Sequence, residues 1–283
     1  MIRTDMFEEI LTMRKIELDE LKRIEFELLC RLDEVCKKNA IKYSLAYGTL
    51  LGAVRHKGFI PWDDDVDVFM MRNDYEHFLR VCSEDDVPFK LVSHGTCEWY
   101  NYPFSKIYDD ETVLKEKNTY FDGKLGVFID IFPIDPLGKT EKEAEKNYKK
   151  TAFVRELITA SNWKRFFRSK TRSVLIEPVR LFFYLASRLT DPKKLLRKLE
   201  KPFLEIEESE AKFFGSIYSP YRIKEIAPSE IYEWSSKVEF EGRTFCSIKN
   251  PEAYLTKFYG DYMKLPPEEK RVSHHLFEAW SNK

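Results

Sequence analysis

Apolar residues recur at helical spacing near the start of the chain, where Leu18, Leu21, Leu28, Leu32 and Val35 stand among charged neighbours. A stripe of that period predicts one or two amphipathic helices within residues 5–38, packed by one face on the core downstream. Residues 41–46, 66–70, 89–93, 102–109 and 127–132 are short runs rich in β-branched and aromatic side chains, and they predict strands. Helices are expected to open at Gly48-Thr49 and at Asn73, the second running to Cys82 with Glu76 as capping-box partner of Asn73. Strands interleaved with helices predict an α/β fold: a mixed-sheet core with N-terminal helices over residues 1–140. After Thr140 the pattern turns mainly helical, so residues 141–283 are expected to be a mainly helical part packing on that core.

With 283 residues, 43% of them hydrophobic, the chain can bury a sizeable core. A formal net charge of -1 gives no global field toward nucleic acid, which is not expected as a partner. Local charge differs. Residues 161–201 hold twelve Lys or Arg against three acids, a local charge of +9, mixed with Phe166, Phe167, Phe182 and Phe183. That composition suits either a helix lying in an anionic membrane surface or an ordinary amphipathic helix with a solvated basic face. The apolar run 174–189 is interrupted by Glu177, Pro178, Arg180 and Arg188 and falls short of a spanning helix. Five cysteines without a C-x-x-C pair argue for a reducing compartment. The acidic start, with Asp5, Glu8 and Glu9, does not resemble a signal peptide, so the expected location is cytoplasmic, either free or peripheral at the inner face of the membrane.

The densest chemistry lies in Pro61-Trp62-Asp63-Asp64-Asp65-Val66-Asp67-Val68-Phe69. Alternation along a strand would put Asp63, Asp65 and Asp67 on one face and Asp64, Val66 and Val68 on the other. Crowded carboxylates repel, and a raised pKa or a bound cation relieves them. Oxygen-only ligands favour Mg²⁺ or Mn²⁺. The competing reading is a solvated acidic turn. Asp130, alone within the apolar run of residues 126–134, needs a partner if buried: a neighbouring acid-bearing strand with its metal would supply one, and the competing readings are a strand-end cap or a pair with a buried Arg. Asp135, ahead of Pro136, is expected to close a turn. Upstream, Gly48 allows backbone to approach a phosphate, Thr49 offers a hydroxyl, and Arg55, His56 and Lys57 either add positive charge or complement the helix dipole.

Four segments, GTLLGAVRHKGFIPWDDDVDVFM, SKIYDDETVL, GVFIDIFPID and FYGDYMKLPPEEKRVSHH, together resemble the LicD family, which includes phosphocholine transferases and is related to fukutin-related protein. The resemblance implies a nucleotidyltransferase-type core and transfer of a phospho-alcohol, typically phosphocholine from CDP-choline, to a sugar hydroxyl of a cell-surface glycan precursor of teichoic acid or lipopolysaccharide type. CMP would leave, and the acceptor would be lipid-linked. On this sequence Gly48 and Thr49 would line the phosphates, Asp65 and Asp67 would hold the metal, and Asp130 would be the third acid, as ligand or base. Trp62, Trp99, Tyr100 and Tyr102 are candidates to enclose the choline cation by their ring faces. Lys106 and His274 are candidate phosphate or nucleotide contacts. The rival readings are a nucleotidyltransferase that attaches an NMP to a small alcohol, and a non-catalytic binding protein of the same fold.

Overall fold

The computed structural model describes residues 13–116, 118–169, 173–272 and 277–281. A two-residue strand, β1 (Arg14–Lys15), leads into α1 (Leu18–Lys38). The predicted stripe is its buried face, with Leu21, Leu28, Leu32 and Val35 inward, and the acids of its first turn and lysines of its last complement the helix dipole. Residues 5–12 of the predicted N-terminal helical region lie outside the described residues.

Strand β2 (Ser44–Leu45) turns directly into α2 (Tyr47–His56), and β3 (Asp67–Met71) into α3 (Arg72–Glu84). The predicted capping box is not formed: Met71 occupies the N-cap of α3, and Glu76 instead accepts from Arg72 Nη1 at 3.1 Å. Strands β4 (Lys90–Val92), β5 (Ser105–Tyr108), β6 (Thr112–Glu116) and β7 (Phe128–Gly138) come next. The run predicted at 127–132 is only the first half of β7. Proline cannot donate to a ladder and normally ends a strand. β7 nonetheless continues past Pro133 and Pro136, pairing with β3 up to Ile134 and, from Asp135 on, through a register shift, with β8 (Phe213–Gly215).

That continuation corrects the expectation for Asp135. It is not in a turn but in β7, fully buried, and accepts from Arg72 Nε at 2.7 Å and Nη2 at 3.0 Å. The planar guanidinium fork ties the start of α3 to the strand beside it.

Helices α4 (Glu141–Lys150), α5 (Ala152–Ser161), α6 (Glu177–Arg188) and α7 (Pro192–Leu204) make up the helical part. After β8 come β9 (Ala227–Pro228), the hairpin β10 (Ser236–Phe240) and β11 (Arg243–Ser247), α8 (Pro251–Tyr259) and β12 (Phe277–Ser281). β10 escapes a hydrophobic reading because its outward positions carry Lys237 and Glu239. The central sheet runs β2-β3-β7-β5-β4, with β3 and β7 parallel and the other neighbours antiparallel, so it is mixed. The main core sits around this sheet and draws on α1, α2, α3 and α8, through residues such as Leu32, Leu50, Phe69, Phe78, Ile131 and Tyr254. A second core, including Tyr148, Ile158, Leu196 and Phe203, joins α4, α5 and α7. All five cysteines are free. No helix among the described residues is long and apolar enough to cross a membrane.

Candidate active site

A cleft of about 670 Å³ opens where β3 and β7 begin, between the N-terminal half of α2 and residues 220–221 and 259–270. Its floor is set by strand register. Asp67 on β3 is the Cα partner of Asp130 on β7, which is in turn the partner of Lys106 on β5. Three ionisable side chains therefore stand in one row across three adjacent strands. Asp63, Asp65, Asp67 and Asp130 line the cleft. The expected alternation does not run through the acids, because β3 begins only at Asp67 and residues 63–66 precede it outside any strand, which lets the Asp64 carboxylate lie close to those of Asp63 and Asp65.

The predicted site residues separate into two groups. Gly48, Arg55, Trp62 and the acids at 65, 67 and 130 line the cleft. Gly48 has a steric reason to be glycine, since a Cβ there would stand 2.8 Å from Asp63 Oδ2. Arg55 donates from Nη1 to the Tyr262 carbonyl at 2.7 Å, and Arg271 lies over the Trp62 ring at 5.6 Å. Thr49, Lys57, Trp99, Tyr102 and Lys106 do not line it. Thr49 lies beneath the cleft, its buried Oγ1 accepting from the Asp67 N–H at 2.8 Å, and so fixes the strand that carries the acids. Lys57 takes the left-handed position that ends α2 and is exposed. Trp99 and Tyr102 pack around the buried Tyr100 in an aromatic cluster, Trp99 beneath the Lys124 ammonium. Lys106 is buried, ion-paired to Asp130 Oδ1 and seated over the Phe128 ring. His274 lies outside the described residues.

Burial raises the Asp67 carboxyl well above its usual range, and the neighbouring charges of Asp65, Asp130 and Asp63 push it further, with Lys106 opposing. A cation in the cleft would reverse that penalty. Among the described residues, the carboxylate oxygens that all lie within 4.8 Å of one another belong to Asp63, Asp64 and Asp65, rather than to Asp65, Asp67 and Asp130. Lys106, on the far side of Asp130 from Asp67 in the row, takes one of the Asp130 oxygens. The donor set is entirely oxygen and concentrated at one end of the cleft. Its chemistry fits a hard divalent ion such as Mg²⁺ or Mn²⁺, and Asp63, Asp65 and Asp67 are the acids of the run that line the open volume.

The family model for the LicD/FKTN/FKRP nucleotidyltransferase domain matches residues 40–168, which include Gly48, the acid run, Lys106 and Asp130. Alignment with the lipopolysaccharide cholinephosphotransferase LicD of Haemophilus influenzae gives 32% identity over 275 residues, 95% of this chain and 99% of that protein. The chain belongs to the LicD family. Two uncharacterized proteins, from Rickettsia typhi and Rickettsia prowazekii, match shorter stretches. The first is 32% identical over 146 residues, 48% of this chain and 43% of its own; the second is 38% identical over 95 residues, 34% and 35%.

In this LicD-family chain the far wall of the cleft comes from residues that local spacing does not connect to the acids. Tyr221 stacks on Tyr47 with ring centroids 5.5 Å apart and donates its hydroxyl to Tyr259 at 2.8 Å. Tyr262, Lys264 and Lys270 complete the rim. Tyr259 and Tyr262 fall in the C-terminal segment that carries the resemblance; Tyr221 has no local signal. Tyr47 sits at φ 41°, a left-handed conformation that a non-glycine residue adopts at a cost of about 1–3 kcal/mol. It does so at the turn from β2 into α2 that presents its ring to the cleft.

Proposed function

We propose that the chain transfers a phospho-alcohol, phosphocholine from CDP-choline, to a sugar hydroxyl of a lipopolysaccharide-type glycan and releases CMP. The observation that carries this reading is one cleft that sets an acid cluster against an aromatic wall, in a chain aligned almost end to end with a lipopolysaccharide cholinephosphotransferase. A trimethylammonium group carries a permanent charge, and ring faces stabilise it without a formal partner. Tyr47, Tyr221, Tyr259 and Trp62 provide those faces, in place of a cage built from Trp99 and Tyr102. Burial keeps the tyrosine hydroxyls neutral, with Tyr221 pushed up to about 12, so the wall adds no competing charge.

Asp65 and Asp67 would hold Mg²⁺ or Mn²⁺, which when bound supplies charge neutralisation on the diphosphate. Arg55, Lys264 and Lys270 add cationic donors around the same volume. The acceptor hydroxyl attacks the choline-bearing phosphorus in line; its O–P bond forms as the bond to the CMP oxygen breaks, and CMP carries away that electron pair. Asp130 takes the hydroxyl proton, with Lys106 fixing its carboxylate from behind. Incubation with CDP-choline, CTP or ATP and a lipopolysaccharide acceptor, read by mass spectrometry, tests the donor. CMP release from CDP-choline with phosphocholine gained by the glycan is expected. Consumption of CTP or ATP with NMP transfer, and none of CDP-choline, would replace this reading with a nucleotidyltransferase.

A further inference from the structure

Helix α6 is amphipathic in the inverted sense. Its polar side faces the protein: Arg180 is buried, paired with Glu177 at 2.8 Å and packed on the Trp163 ring at 4.8 Å, while Arg188 donates to the Ala160 carbonyl at 2.8 Å and to the Tyr120 hydroxyl at 2.7 Å. Its apolar side faces solvent. Val174, Leu181, Phe182, Leu185 and Leu189 recur at the three- and four-residue steps of one helical face, beside Leu175 on the preceding turn. Leu175 is 87% exposed, Leu189 89% and Phe182 55%. Phe153 on α5, also exposed, packs against Phe183 at 5.2 Å and widens the patch. Of sixteen exposed large apolar side chains among the described residues, eight lie between 174 and 189. Single exposed apolar side chains need no explanation, but a continuous stripe does.

We infer that this stripe docks the protein on an anionic lipid surface. The solvated basic face lies on α7 and not on α6: Arg180 is buried, Arg188, though exposed, folds its guanidinium onto the Ala160 carbonyl, and Lys193 donates from Nζ to the carbonyls of His94, Cys97 and Tyr100. The positive charge that stays exposed flanks the stripe in sequence: Arg165 and Arg168 before it, Lys194, Arg197 and Lys198 after it. Of the acids in the same segment, Glu200 is buried and Glu177 is held by Arg180, which leaves Asp191 exposed. An uncharged apolar stripe whose flanking segments carry exposed cations matches the two layers of an anionic bilayer face, acyl chains beneath and phosphates above. The helix lies on that surface; it is too short and too interrupted to span it. This inference stands on α6 and its neighbours alone and does not depend on the donor or acceptor proposed above.

Co-sedimentation of the full chain with phosphatidylcholine vesicles, with and without phosphatidylglycerol, tests it. Binding to the phosphatidylglycerol vesicles that weakens with salt is expected. The double variant Phe182→Asp/Leu185→Asp alters only exposed positions and should keep the wild-type Tm while its partitioning falls about 100-fold or more. Lys194→Glu/Arg197→Glu should lose the preference for the anionic lipid and retain weak binding to both vesicles. No binding by the wild-type chain, or equal binding by the Asp double variant, overturns the inference. So does a wild-type dimer in sedimentation equilibrium that the Asp double variant dissociates, since the stripe would then be a contact between two copies.

Discussion

Replacing Thr49 with valine removes a side-chain hydrogen bond that holds the start of the acid-bearing strand. The Thr49 Oγ1 accepts from the Asp67 N–H at 2.8 Å, and both residues are buried, Thr49 to 3% exposure. Valine has nearly the same shape, so the change leaves no cavity; it leaves a buried amide without an acceptor, a cost of about 1–3 kcal/mol. Serine keeps the oxygen and loses a methyl group, about 0.8 kcal/mol. For a chain of this size about 2–4 °C of Tm accompanies each kcal/mol. Thr49→Val should therefore unfold about 2–12 °C lower, with Thr49→Ser close to wild type. Because the freed amide belongs to Asp67 itself, Thr49→Val should also lower kcat about 10- to 100-fold, the scale set by sub-ångström misplacement of reacting groups. Thermal unfolding and CMP release measure the two effects. A Thr49→Val protein as stable and as active as wild type would refute the reasoning, since the hydroxyl would then be dispensable.

Three further outcomes are expected from the same structure. Asp67→Asn removes a charge that burial and Asp65, Asp130 and Asp63 disfavour, so at neutral pH the metal-free protein should gain Tm while kcat falls on the order of 10³-fold; added Mg²⁺ should raise the Tm of wild type more than that of the variant. Glu225, fully buried beneath Tyr47 and accepting from the Ser219 hydroxyl at 2.6 Å, is pushed up to about 7 by burial. The folded protein thus holds this proton more tightly than the unfolded chain, and stability falls as pH rises from about 4.5 to about 7 by about 3 kcal/mol; urea titrations of Glu225→Gln should show that much less pH dependence. Arg72→Met leaves Asp135 as a buried charge with its guanidinium gone and should cost about 3–5 kcal/mol in urea unfolding, part of it recovered when Asp135→Leu is added.

The acids were legible in the sequence because their convergence is local. Asp63, Asp64 and Asp65 are adjacent in the chain just ahead of β3, and one parallel pairing brings Asp130 beside Asp67. Helix α1 was legible because spacing dictates its buried face, and strand β3 because it is a short continuous apolar run, buried on both sides. The aromatic wall of the cleft was not. Trp99 and Tyr102 are close to the acids in sequence, yet they serve the packing around Tyr100, whereas Tyr221 is more than 150 residues from Asp67 and reaches the cleft only through tertiary folding. Lys106 was visible as a lone lysine on a strand; its partner, Asp130, emerges only from the β5–β7 register. Composition counts the charges of the basic segment without direction: Arg180 is buried and Arg188 and Lys193 bond to backbone carbonyls, while Lys194, Arg197 and Lys198 stay solvated on α7. Asp135 misled through Pro136, which reads as a strand end but here lies at a register shift within β7.

Turnover of CDP-choline followed by ³¹P NMR, with wild type and Asp65→Asn compared in Mg²⁺ and in excess chelator, tests most directly whether the carboxylate cleft is a divalent-ion-dependent transfer site. CMP and a new phosphodiester signal on the glycan are expected only for wild type with Mg²⁺. Equal turnover by Asp65→Asn, or by wild type in chelator, would contradict it.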